Sequence, residues 1–251
     1  MHFGNNMTDY NQLFNTYHFT KTNPVKQFSE EYTFLKVLGS VTNKRVLDMA
    51  CGDGYYTRMI KKHGAAHVVG IDISEKMIHE AQVYENQTPQ GIEYHVSDVC
   101  QERQFGEFDC VISIYLFPYA NSKQMLSQMC KSMAKNLKQG GRMVAVLLNP
   151  FLKYNYLDAQ KQYHVQMHAQ PPLIDGSIIH VNIHTPQAMI SLDNYFWSKD
   201  VYEELLVNAG FYNIEWHFPE VSEKGIAAYG EDFWEAHLTK PGFAVLTCEH
   251  F

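Results

Sequence analysis

The stretch Val46-Leu-Asp-Met-Ala-Cys-Gly-Asp-Gly-Tyr-Tyr-Thr-Arg-Met-Ile60 decides how the chain is read. A short apolar run ends at Asp48, Gly52 and Gly54 follow, and a helical pattern then begins. Glycine after a strand lets the backbone come close to a ligand. A dinucleotide fingerprint, G-x-G-x-x-G, needs a small residue where Thr57 stands. Asp48 and Asp53 would also repel a pyrophosphate, which a helix N-terminus alone would favour. The loop suits a ligand with positive charge beside it and a ribose further along.

Outward from this stretch, strand and helix signals alternate. Strands are expected at 45–48, 67–72, 92–96, 108–114 and 142–148. Helices are expected at 54–62, from Ser74 as cap to about residue 85, and at 122–137, the last ended by Gly140-Gly141. Near-continuous apolar strands in such an order imply a parallel sheet covered on both faces. Ligands of such sheets sit at the carboxyl ends of the strands. Asp48–Gly54, Asp72, Ser97-Asp98 and Ser113–Tyr115 all fall at those ends. Upstream, Tyr10, Leu13, Phe14 and Tyr17 share one helical face, and a second helix is expected from Pro24 to Leu38. Downstream, 171–197 reads as extended segments with turns at Asp175-Gly176 and Thr185-Pro186. A helix is expected at 199–208 and strands at 211–217 and 243–249. These two strands should pair antiparallel, with no full-length helix between them.

The 251 residues suffice for one α/β domain, divided here into N-terminal helices (1–40), a ligand-binding core (41–150), an insertion over the strand ends (151–197) and a last helix with strands (198–251). The net charge of −7 disfavours a nucleic-acid partner. The odd set Cys51, Cys100, Cys110, Cys130 and Cys248 has no C-x-x-C spacing, which fits reduced thiols better than a disulfide framework or zinc knuckle. The first residues lack the basic and apolar runs of a secretion signal, and no apolar run reaches the length of a membrane span. A cytoplasmic protein with a small-molecule substrate is the expectation.

S-adenosylmethionine carries an ammonium, a sulfonium and a ribose, the pattern the acidic loop suits. In their order, VLDMACGDGYYTRMI, VVGIDISEKMI, SDV, FDCVISIYLFPYA and LKQGGRMV resemble the motifs of class I S-adenosylmethionine-dependent methyltransferases. The resemblance covers roughly residues 10–150 and the final strands. It implies a Rossmann-like, seven-stranded, mostly parallel sheet with an antiparallel last strand, helices on both faces, an N-terminal helical lid and an insertion after the fifth strand. It implies S-adenosylmethionine as cofactor and S-adenosylhomocysteine as product. The methionine moiety would lie along Asp48, Ala50, Cys51, Gly52 and Gly54, and the ribose on Asp72. Asp98 and Val99 would meet the adenine, with Ile73 and Met77 flanking its ring. Ser113 would lie near the methionine end, and Tyr17 would cover the site. The stretches DNYFWSKDVYEELLVNAGF and YGEDFWEAHLTKPGF further resemble the toxoflavin synthase group of small-molecule N-methyltransferases.

Methyl transfer from a sulfonium is an in-line displacement in which positioning carries much of the catalysis. No residue stands out as a general base. Tyr115 and Phe117 follow the fourth strand, where an acceptor should lie, and a flat or aromatic acceptor would stack there. Tyr195, Trp197, Tyr10, Phe14 and His18 complete the expected acceptor contacts. The pairs His164/His168 and His180/His184 have i, i+4 spacing without the Glu of H-E-x-x-H. His180 and His184 lie in an alternating run, where such a pair spans about 13 Å, too far to share an ion, while His164 and His168 could meet on a helix, which an ordinary surface helix explains as well; no metal is expected. A nicotinamide-dependent dehydrogenase on the same fold, and a non-catalytic S-adenosylmethionine-binding domain, are the alternatives.

Overall fold

In the computed structural model, residues 23–186 and 189–251 are described. The elements, in chain order, begin with a π-helical turn, Lys26–Glu30, running into α1 (Glu31–Leu38). Then come β1 (Arg45–Met49), α2 (Tyr55–Lys62), β2 (His67–Asp72), α3 (Glu75–Gln87), β3 (Ile92–Val96), β4 (Phe108–Ile114), α4 (Lys123–Lys135) and β5 (Leu137–Leu148). Three short strands follow, β6 (Val165–Ala169), β7 (Ile178–His184) and β8 (Met189–Tyr195), then α5 (Lys199–Asn208) and β9 (Phe211–His217). The chain ends with α6 (Glu223–Tyr229), α7 (Glu231–Thr239) and β10 (Phe243–His250).

Seven strands form the main sheet in the order β3-β2-β1-β4-β5-β10-β9. β10 runs antiparallel to both neighbours, while β1 to β5 are mutually parallel. Strand alternation explains the two-sided core. Val46, Val68, Cys110, Ile112 and Val144 face one layer with Phe34 and Leu38 of α1. Leu47, Met49, Val69, Ile71 and Val111 face the other, against α4 and α5. Because both faces are buried, a shift of one residue in any central strand would exchange the two layers. Among the described residues no helix is long and apolar enough to cross a membrane.

The structure departs from the sequence expectation in two places. α4 stops at Lys135, before Gly140-Gly141, and β5 already begins at Leu137. Asn136 makes the break. Its side-chain amide donates to the Ser132 and Arg103 carbonyls at 2.9 and 3.0 Å, and its Oδ1 accepts from the Phe105 amide at 2.7 Å. The second departure is α6 and α7, which stand between β9 and β10 where no full-length helix was expected. Gly230, at φ +80°, splits them. Their buried anchor is Trp234, whose indole N–H donates to the Gly225 carbonyl at 3.0 Å.

β6, β7 and β8 form a separate antiparallel sheet. Ile179, Val181 and Met167 close over Leu148, Leu152 and Leu157. His180 points the other way and is paired with Asp193 at 2.7 Å on an exposed face. His164, at φ +64°, precedes β6 and His168 lies within it, so this pair is not on a helix.

Candidate functional site

The glycine loop is held by its own strand ends. The Cys51 amide donates to the Ile71 carbonyl at 2.9 Å, which ties the loop to β2. Gly52 and Gly54 have φ of +55° and +78°, left-handed values that glycine adopts at little cost, and Ala50 takes the same region at +66° with a side chain. A Cβ on Gly54 would meet the Tyr94 ring, with Cζ at 2.8 Å. A Cβ on Gly52 would meet nothing within 4 Å, so this backbone faces open space. Gly70 of β2 serves the same loop. A side chain there would stand 2.9 Å from both Cys51 Sγ and the Tyr94 ring.

Three carboxylates surround the loop. Asp48 is buried at the end of β1 and accepts a hydrogen bond from the Thr57 hydroxyl at 2.7 Å. Its other oxygen, Oδ1, is buried with no hydrogen-bond partner among the described residues. Burial pushes the Asp48 carboxyl up to about 7, with Thr57 opposing and Asp72 adding to the rise. Asp72 braces the loop from β2. Its Oδ2 accepts from the Gly52 amide and its Oδ1 from the Ser74 amide, both at 2.9 Å. Burial raises the Asp72 carboxyl above its ordinary value, opposed by these backbone bonds. Asp53 is buried and accepts from the Tyr55 amide at 3.2 Å at the start of α2. Burial first, then Asp48, Asp72 and Asp53, hold the Cys51 thiol well above the ordinary range, which favours its neutral form.

Along the next strand ends, Ile73 is an exposed apolar side chain, 46% accessible, and Met77 lies buried in the first turn of α3. Ser74 caps that helix, accepting from the Met77 amide at 3.3 Å. Asp98 is half-buried and accepts from the Cys100 amide at 2.8 Å, while Val99 is buried. On β4, Ser113 pairs in register with Met49, fully buried, and its Oγ has no partner among the described residues. The strand ends therefore bring Asp48, the loop and Asp72 together, while Ser113, in register with Met49, shares the opposite face of the sheet with Val111.

The acceptor candidates divide. Phe117 has no exposed surface and stands edge-on to Tyr202 at 5.6 Å, in the core. Trp197 is 7% exposed and donates its indole N–H to the Ala120 carbonyl at 2.9 Å. Phe117 is carried inward by the tight 3-10 turn, Phe117–Tyr119, that follows β4. Tyr115 and Tyr195 remain half-buried. Tyr10, Phe14, Tyr17 and His18 lie outside the described residues. Among the described residues no group of three His, Cys, Asp or Glu could hold a metal ion.

Sequence reading missed Glu30, Glu31, Tyr55 and Tyr56. Glu30 is buried and accepts from the hydroxyls of Tyr56 and Tyr115, both at 2.6 Å. Glu31 accepts from the Tyr55 hydroxyl at 2.7 Å. An acid on a short helix reads as a solvated one, and only the doubled tyrosine after the glycine loop gave a signal.

Residues 46–141 match a family model described as a methyltransferase domain. A ubiquinone biosynthesis O-methyltransferase from Dechloromonas aromatica is 32% identical over 112 residues, 44% of this chain and 47% of that one. The corresponding enzyme from Coxiella burnetii is 30% identical over 144 residues, 56% of this chain and 57% of that one. The chain thus spans about half the length of these curated relatives. Among solved structures, an S-adenosylmethionine-dependent methyltransferase from Mesorhizobium loti superposes with a TM-score of 0.64 at 19% identity, covering 88% of this chain and 97% of that one. A sugar N-methyltransferase from a Streptoalloteichus species superposes at 0.61 and 17% identity over 100% and 96%. Both likenesses are of fold.

Proposed function

From the premise that the chain is built on the class I S-adenosylmethionine-dependent methyltransferase fold and carries that family's methyltransferase domain at residues 46–141, we propose that it transfers a methyl group from S-adenosylmethionine to a small, flat or aromatic acceptor. The observation that carries this reading is the unpartnered buried atom Asp48 Oδ1, next to Asp72 and to the loop whose Gly52 backbone faces open space. Buried polar groups are hydrogen-bonded as a rule, so a polar ligand with a cationic donor suits this place.

The cofactor supplies a methyl group on a positively charged sulfur, a good leaving group. The chain's residues do the rest. Asp48 and the backbone of Cys51 and Gly52 hold the ammonium end. Asp72 accepts from the ribose hydroxyls with the lone pairs its backbone bonds leave open. Asp98 and Val99 hold the adenine edge, and Ile73 covers its ring with apolar surface that is otherwise exposed to water. The small sheet of β6 to β8 covers the acceptor, and Tyr115 and Tyr195 line its space. The likeness to ubiquinone O-methyltransferases and to a sugar N-methyltransferase supports a small acceptor and leaves oxygen or nitrogen as the receiving atom.

Calorimetric titration of the full chain with S-adenosylmethionine and, separately, with reduced nicotinamide cofactor tests the reading. Binding of the first alone is the expected outcome. Binding of the second alone would replace the reading with a dehydrogenase.

The same titration has a pH signature. A cationic ammonium beside Asp48 favours its charged form, so binding below about pH 7 should release protons. Affinity is then expected to rise from about pH 5.5 to 7.5 and to level off above, because the free protein binds the proton that the complex gives up. Without ligand the sign is reversed for stability. A carboxyl raised from 3.8 to about 7 contributes most below 3.8, and its contribution is lost as pH rises towards 7. Titrations in buffers of different ionisation enthalpy measure the proton count. A pH-independent affinity with no proton release would remove Asp48 from the binding site.

A further inference from the structure

Two elements converge on one buried carboxylate at the edge of this site. Glu30 ends the π-helical turn Lys26–Glu30 and is 5% exposed. Tyr56 Oη, from α2 directly behind the glycine loop, donates to its Oε1, and Tyr115 Oη, from the end of β4, donates to its Oε2, each at 2.6 Å. Lys26 Nζ stands 3.8 Å from Oε1. Burying a carboxylate costs several kcal/mol unless it is paired, and a lysine at that range offsets only part of it. Short π-helical turns recur at functional sites.

Tyr115 is placed with some strain. Its φ of +58° is rare for a residue with a side chain, and its amide is fixed to the Val146 carbonyl at 2.7 Å. It lies two residues past Ser113, whose buried Oγ has no partner among the described residues. The Tyr115 hydroxyl proton is committed to Glu30, so towards any further partner that oxygen can only accept. An accepting oxygen backed by a buried carboxylate favours a cation.

We propose that Glu30, acting through Tyr115, is a positioning residue that makes the transfer site select the cationic sulfonium donor over its neutral product. The inference rests on the S-adenosylmethionine site proposed above. In methyl transfer an acceptor lone pair forms the new bond to the methyl carbon as the carbon–sulfur bond breaks, and that bond's electron pair stays on sulfur. The charge that the Glu30–Tyr115 pair attracts is then gone, which favours exchange of product for fresh donor.

The test is calorimetry on the full chain with three probes: S-adenosylmethionine, sinefungin (a cationic amine in place of the sulfonium) and S-adenosylhomocysteine. Glu30→Gln keeps the side-chain shape and removes the charge. Tyr115→Phe keeps the ring and removes the oxygen, and it carries the test alone if Glu30→Gln does not fold by circular dichroism. Each variant is expected to weaken both cationic probes about tenfold, the scale of one charge-assisted hydrogen bond, and the neutral probe by less than about twofold. The double variant should lose little more than either single one. Equal losses for all three probes would make the pair purely structural and overturn the proposal, as would unchanged affinities. A wild-type chain that binds none of the probes overturns the underlying site reading instead, which is a different result.

Discussion

Gly54→Ala is expected to lose about 2–4 kcal/mol of stability and most cofactor binding. A left-handed backbone costs alanine about 1 kcal/mol, and overpacking against a fixed neighbour adds about 1–3. The neighbour is fixed here, since a Cβ on Gly54 would lie against the Tyr94 hydroxyl and ring, and Arg58 Nη1 is 2.9 Å away. The control is Gly52→Ala. It has the same handedness at φ +55° but open space beside it, so its stability loss should stay near about 1 kcal/mol. If that open space belongs to the ligand, Gly52→Ala nevertheless loses S-adenosylmethionine affinity. Thermal unfolding and calorimetry on both variants separate the two effects. Equal stability losses would contradict the packing at Gly54, and full affinity in Gly52→Ala would place the ligand elsewhere.

Asp72→Ala is the second large effect. The carboxylate holds the Gly52 and Ser74 amides at 2.9 Å, and in the proposed site it also holds the ribose. Hydrogen bonds to a charged group are worth about 1.5–3 kcal/mol each. Loss of the ribose contact alone therefore predicts at least a tenfold fall in affinity, and a slackened Gly52 should add to it. Because burial already raises the Asp72 carboxyl, stability near neutral pH need not fall in proportion. An unchanged dissociation constant for S-adenosylmethionine would remove Asp72 from the site.

What was legible in the sequence was local and repeated. Each strand end carried its own polar residue, and the loop declared its left-handed turn through Gly52 and Gly54. The alternation of strand and helix fixed the parallel part of the sheet, and Ser74 was readable as a cap because its hydroxyl serves an amide three residues away. What was not legible depended on distant partners. Phe117 and Trp197 read as pocket walls, and their burial was the illegible part: an aromatic after a strand has the same letters whether it faces a ligand or packs as Phe117 does on Tyr202. α4 ends at Asn136 through bonds to Arg103 and Phe105, more than thirty positions upstream. α6 and α7 are short, and their apolar residues serve a small aromatic cluster around Trp234, so no long periodic pattern marks them. Glu30 is the sharpest case. Its burial is created by Tyr56 and Tyr115, which lie 26 and 85 positions away.

The central claim is that the strand ends around Asp48, Gly52 and Asp72 form a cofactor site for S-adenosylmethionine. A crystal structure of the full chain with S-adenosylhomocysteine tests it most directly. The expected result is an amino-acid end along Gly52 with a new hydrogen bond to Asp48 Oδ1, and both ribose hydroxyls on Asp72. A ligand bound away from these strand ends, or one that leaves Asp72 without a ribose contact, would contradict the account.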